Sequence, residues 1–204
     1  EAPEFTTTSL DALRQPLESG VISIHRANAI AHFPGSFQLV MAANPCPCGQ
    51  WGANDSHCTC APFARRRYLA RISGPLLDRI DIQLRVHRIT GAQLRIGEER
   101  TRLATADARS RVTDARAAAA ARLVETPWTL NSQVPGAFLR GSKARLGVVV
   151  TASIDRALER GGITMRGYDR VLRLGWTLAD LDGAPVPTAD HIGRALYLRK
   201  AMAS

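Results

Sequence analysis

The sequence predicts an α/β portion with a parallel sheet fragment, followed by an all-helical portion. Three observations carry that prediction. VISIHR at 21–26 and IDIQLRV at 80–86 alternate apolar and polar residues, the period of a half-buried strand. QLVMAA at 38–43 is a nearly unbroken apolar run, as in a strand buried on both faces of a parallel sheet. Beyond about residue 92 strand patterns nearly vanish, and Ala and Arg dominate. The domain boundary is therefore expected at 91–96, giving portions 1–91 and 92–204.

The elements follow in order. SLDALRQPLES at 9–19 reads as one helix, with Leu10, Leu13 and Leu17 at helical spacing. Ser9 is its expected N-cap and Gly20 its stop. Strand 21–26 leads into the turn-prone ANAIAHFPGS, which makes 21–37 a hairpin. A Cys-rich loop fills 44–60. Pro62 suits the first helical position of PFARRRYLARI, because its fixed φ matches a helix and its missing N–H is not needed there. Residues 97–123 read as one long helix with AAAAA at 117–121 near its end. Further helices are expected at 151–160, 165–181 and 189–200, with Thr164 and Thr188 as caps and Gly161 and Gly183 as stops. There is no internal repeat.

A hydrophobic fraction of 45% supports a core, and no apolar run approaches the roughly 20 residues of a membrane span. With neither a span nor a secretory leader in the sequence, the expected location is the cytoplasm. The net charge of +9 is uneven: residues 1–60 hold 2 basic and 5 acidic groups, and residues 61–204 hold 25 and 13. Nearly all the cations are Arg, whose planar fork suits phosphate and carboxylate. That balance fits a nucleotide or nucleic-acid partner, and equally an Arg-rich composition with solvated helix faces. The run Arg65-Arg66-Arg67 reads as such a face.

All four cysteines lie in one loop, as Cys46-Pro-Cys48, nine residues, then Cys58-Thr-Cys60. Clustered thiols in a reducing compartment favour a metal over disulfides, and four thiolates make a closed structural Zn²⁺ site. The C-x-C spacing is tighter than the usual C-x-x-C. His57 is an alternative ligand, and free thiols or a redox pair are the other readings.

FQLVMAANPCPCG at 37–49 and CTCAPFARRRYLARISGPLLDRIDIQLRV at 58–86 closely resemble the magnesium-chelatase-like AAA+ ATPases of the ComM/YifB family. The resemblance continues through ITMRGYDRVLRLGWTLADLDG and HIGRALYLR, over almost the whole chain. It implies a partial AAA+ P-loop NTPase core followed by a helical lid, with ATP and Mg²⁺ as cofactors. It makes Glu1, in EAPEF, the Walker B glutamate that polarises the attacking water; a frayed terminal Glu is the alternative. No G-x-x-x-x-G-K-[ST] phosphate loop occurs, so the chain is expected to be the C-terminal part of a motor, without ATP turnover alone.

The resemblance makes Asn44 sensor 1, which orients the lytic water; an Asn-Pro turn is the plain alternative. It makes Arg79 an arginine finger reaching the nucleotide of a neighbouring subunit, a group worth roughly 10³–10⁵ in rate. The alternative there is an ion pair with Asp78 or Asp81. Arg166 becomes sensor 2, or else a helix-surface Arg near Asp169. The hairpin takes the place of a pore hairpin, where Arg26, Asn28 and His32 would touch a DNA backbone. Packing of Ile22, Ile24 and Phe33 would equally account for it.

Three functions follow. The first is part of a homo-hexameric ATPase acting on DNA, a branch-migration helicase in recombination during natural transformation. The second is the motor subunit of a metal chelatase that inserts magnesium into a porphyrin. The third is a non-catalytic, zinc-stapled interaction module. The Cys cluster separates the first from the second, because it resembles the DNA-acting branch. No membrane partner is expected.

Overall fold

The computed structural model describes residues 1–52, 57–86 and 103–200. The chain divides into two units, Glu1–Ile80 and Asp81–Ser204, each with its own apolar core.

In the first unit a 3₁₀ turn at Ala2–Glu4 is tied to the later chain where the Ala2 N–H donates to the Ala42 carbonyl at 2.7 Å. Two helices follow in place of the single one expected: α1, Thr7–Ala12, and α2, Arg14–Ser19. Pro16 is the cause. It has no N–H to donate, and its ring opposes the Ala12 carbonyl, so the ladder breaks at Leu13. The N-cap is Thr6, not Ser9: the Thr6 hydroxyl accepts from the Ser9 N–H at 3.1 Å. Gly20 stops α2 at φ 67°, a left-handed conformation that favours glycine.

Strands β1, Val21–Arg26, and β2, Ala29–Pro34, pair antiparallel, with Ile22 opposite Phe33 and Ile24 opposite Ala31. The Gly35 N–H closes the base of this hairpin on the Gly20 carbonyl at 2.8 Å. Among the described residues the hairpin is the whole sheet. The expected parallel fragment is not seen: residues 38–43 and 80–86 carry no ladder. An apolar or alternating pattern reports a surface suited to a neighbour, but a strand exists only when a neighbour takes its backbone groups. Val40, Leu84 and Val86 are accordingly exposed. Helix α3, Pro62–Leu69, starts on Pro62 as expected, and α4, Gly74–Leu77, is capped by Ser73. The core is small: Ala2, Leu10, Ile72 and Leu76, flanked by Leu13, Leu17, Met41 and Leu77.

The second unit is helical. The expected boundary at 91–96 and the start of the long helix lie outside the described residues. Helix α5 spans Thr105–Arg122, α6 Gly136–Arg140, α7 Val148–Glu159, α8 Met165–Leu181 and α9 Ala189–Lys200. Gly161 and Gly183 stand just past α7 and α8 at φ 66° and 68°. The central element is α8, which buries Val171, Leu172, Gly175, Trp176, Leu178 and Ala179. It packs against α5, α6, α7 and α9. Ala115 and Ala119 are the buried residues of α5, so small side chains line its contact. Residues 82–86 run along this unit, where the Gln83 N–H donates to the Leu198 carbonyl at 2.7 Å. No helix among the described residues is long and apolar enough to cross a membrane.

Candidate metal centre and functional site

The apolar stretch 38–43 leads directly into Asn44 and the cysteines. Cys46 is buried, and its carbonyl accepts from the Gly49 N–H at 2.9 Å. Gly49 sits at φ 72°, which lets the loop double back. That turn brings the Cys46 and Cys48 sulfurs to 3.4 Å. Cys58 returns to the same place, 3.8 Å from Cys46 and 3.7 Å from Cys48. All four Sγ atoms, Cys60 included, lie within 4.8 Å of one another. No disulfide links them. A tetrahedral zinc with Zn–S near 2.3 Å spaces its sulfurs about 3.8 Å apart, so the donor set fits that ion. His57 is exposed and is not one of the gathered donors. The Arg65 guanidinium lies 5.0 Å from the Trp51 ring centroid, joining the loop to α3.

The thiols are already uneven in acidity. Cys48 is lowered to about 6, first by a backbone hydrogen bond from Gln50 and then by the Cys46 and Cys60 thiols. Cys60 is raised to about 11: a backbone hydrogen bond from Cys48 pulls it down, but the Cys48 thiol, burial and Cys46 outweigh it.

The segments that carry Glu1 and Asn44 are joined by one backbone hydrogen bond. Ala2 donates to Ala42, so Glu1 stands one residue and Asn44 two residues from the same hydrogen bond. Both are exposed, and the Asn44 side chain lies beside Gly49. Burial, and then the charges of Glu4 and Glu1, push the pKa of the Tyr68 phenol up from its usual value.

Arg79 follows α4. Ser73 locks that helix to α1: its hydroxyl accepts from the Leu76 N–H at 3.2 Å and donates to Asp11 at 2.5 Å. The Arg79 side chain is 8% exposed. Its Nη1 donates to the Pro75 carbonyl at 2.8 Å, and its Nη2 donates to the Glu18 carboxylate. Neither Glu18 nor its neighbour Arg14 was singled out by sequence. The signal was present: Asp11, Arg14, Gln15 and Glu18 recur at helical spacing on the face beside Leu10, Leu13 and Leu17.

Arg166 is exposed in the first turn of α8, whose cap Thr164 accepts from the Gly167 N–H at 3.0 Å. Asp169, the alternative partner for Arg166, pairs with Arg140. On the hairpin, Arg26 ends β1, Asn28 lies in the turn, and His32 lies on β2, where its Nδ1 is 2.9 Å from the Ser23 hydroxyl. Ile22, Ile24 and Phe33 are exposed, so burial does not account for them: within the first unit no described layer covers the hairpin.

Residues 1–94 match the sequence profile of magnesium chelatase, subunit ChlI, and residues 102–199 match that of the ChlI C-terminal region. The chain belongs to the magnesium-chelatase-like family of AAA+ ATPases. Members of this family depend on ATP and Mg²⁺. Among its relatives, an uncharacterized protein of Mycobacterium tuberculosis is 40% identical over 200 residues, 98% of this chain and 39% of the relative. The competence protein ComM of Haemophilus influenzae is 38% identical over 199 residues, 98% of this chain and 38% of that protein. YifB of Escherichia coli is 34% identical over 203 residues, again 98% and 38%. The chain therefore spans less than two fifths of the length of these magnesium-chelatase-like relatives.

Proposed function

We propose that the chain is a portion of a ring-forming, cytoplasmic AAA+ ATPase that acts on DNA, as a branch-migration helicase in recombination of incoming DNA. The observation that carries this reading is the four-thiol cluster beside Asn44, which resembles the DNA-acting ComM/YifB branch and not the chelatase subunit. The likeness to a competence protein over 98% of the chain supports it.

The residues take these roles. Glu1 and Asn44, on two segments joined by the Ala2–Ala42 hydrogen bond, polarise and orient the attacking water. Arg79 acts from an adjacent copy in a hexamer, neutralising charge on the transferring phosphoryl group. Arg166 acts on the nucleotide of its own subunit. ATP with Mg²⁺ supplies the phosphoryl transfer when bound. Zn²⁺ is structural: held by Cys46, Cys48, Cys58 and Cys60, it fixes the loop that begins at Asn44 and lacks the open position of a catalytic site. Arg26, Asn28 and His32 contact the DNA backbone from the exposed hairpin.

The test is duplex-DNA binding by this chain across a salt series. The expected result is a steep linear fall of log K with log salt, made shallower by about one ion in Arg26→Gln. Binding that ignores salt, or that Arg26→Gln leaves unchanged, would contradict the proposal. Alone, the chain is expected to turn over no ATP above background.

A further inference from the structure

Asp11, Arg14, Gln15, Glu18 and Ser19 on α1 and α2, together with Arg79, line an open cleft of about 450 Å³. Its two guanidinium groups are incompletely used. Arg79 reaches Glu18 and the Pro75 carbonyl, and Arg14 lies 3.8 Å from Asp11. The Nε atoms of both are buried without a hydrogen-bond partner, two of five such side-chain atoms among the described residues. Buried donors are nearly always paired, and an unpaired one has lost water for nothing in return. The acceptor that does hold Arg79 is open to solvent: the Glu18 side chain is 49% exposed against 8% for the guanidinium it meets.

We propose that this cleft receives the terminal phosphate of a nucleoside triphosphate, with Arg79 and Arg14 as donors and Glu18 as the resident counter-ion that the phosphate displaces. The inference rests on the reading of Arg79 as a phosphate-directed group and adds Arg14 and Glu18 to it. A terminal phosphate offers three acceptor oxygens and close to two negative charges, where Glu18 offers two oxygens and one charge. It therefore outcompetes the carboxylate and uses the donors that Glu18 leaves idle. Glu18 is a positioning residue. It holds the Arg79 guanidinium inside its own subunit while no phosphate is present, and it releases that group when one arrives. This accounts for a phosphate-directed arginine that is nearly buried in the isolated chain.

The experiment is an NMR titration of the Arg side-chain Nε–Hε resonances in the chain, with sodium tripolyphosphate at constant ionic strength. Wild type, Glu18→Gln and Arg14→Gln are compared. The expected result is saturable shifts of both the Arg14 and Arg79 resonances, about tenfold tighter in Glu18→Gln and severalfold weaker in Arg14→Gln. If Arg79 shifts but Glu18→Gln binds no more tightly, displacement of Glu18 is wrong while the Arg79 reading stands. If Arg79 shifts in no variant, both fall. A response to a DNA oligonucleotide but not to tripolyphosphate would assign the cleft to diester backbone and overturn the proposal. Should Glu18→Gln fail to fold, the half-exposed Arg14 carries the test: unchanged affinity in Arg14→Gln overturns its role as a donor.

Discussion

Arg122 and Asp180 form a two-point ion pair across 58 residues of sequence, with the Asp180 side chain 2% exposed. Nη2 of Arg122 meets the carboxylate at 2.9 Å, and Asn131 donates to the same oxygen at 2.8 Å. The guanidinium also lies 4.2 Å from the Trp176 ring centroid. This network ties the end of α5, the turn at Asn131–Gln133 and the end of α8. Removing the cation leaves a buried carboxylate with much less compensation. Arg122→Gln is therefore expected to cost the second unit roughly 3–5 kcal/mol in urea unfolding. A loss under about 1 kcal/mol would show that water reaches Asp180.

Gly136 opens α6 directly beneath the Asp169 carboxylate. A Cβ there would collide with the Asp169 carboxylate, so Asp169 must leave its ion pair with Arg140. Gly136→Ala is expected to destabilise by about 1–2 kcal/mol. In an Asp169→Ala background the same change should be neutral or stabilising, because the clash is gone and alanine favours helix. Equal costs in both backgrounds would locate the strain elsewhere.

Tyr168 gives a pH dependence with a definite sign. Burial, followed by its 2.8 Å hydrogen bond to Asp155, raises its phenol to about 12. The folded state thus prefers the neutral phenol, while the unfolded chain releases the proton near pH 10. The stability that Tyr168 confers is complete below pH 10 and drains as pH rises toward 12, by on the order of 2 kcal/mol. Urea midpoints from pH 9 to 12 should fall more steeply in wild type than in Tyr168→Phe. Parallel profiles would contradict the assignment.

The helical unit was legible because its signals are local. Thr164 caps α8, and Gly161 and Gly183 follow the helices they end. The hairpin was legible for the same reason: its register is set by adjacent residues. The split at Leu13 was readable in Pro16, but the helical spacing of Leu10, Leu13 and Leu17 outweighed it. The strands expected at 38–43 and 80–86 needed partners that no local pattern can supply. The cysteine cluster was visible as four thiols in one loop, yet its closure depends on the left-handed turn at Gly49. The partner of Arg79 was hidden, because Glu18 lies 61 residues away, while the alternative ion pair considered only its sequence neighbours Asp78 and Asp81.

The DNA-acting reading rests on the four-thiol centre, and zinc X-ray absorption of the purified chain tests it most directly. The expected result is one zinc per chain with four sulfur neighbours at about 2.3 Å, and loss of the metal as acid returns protons to the thiolates. A folded chain that holds no zinc, or a zinc ligated by nitrogen or oxygen in place of these sulfurs, would contradict it.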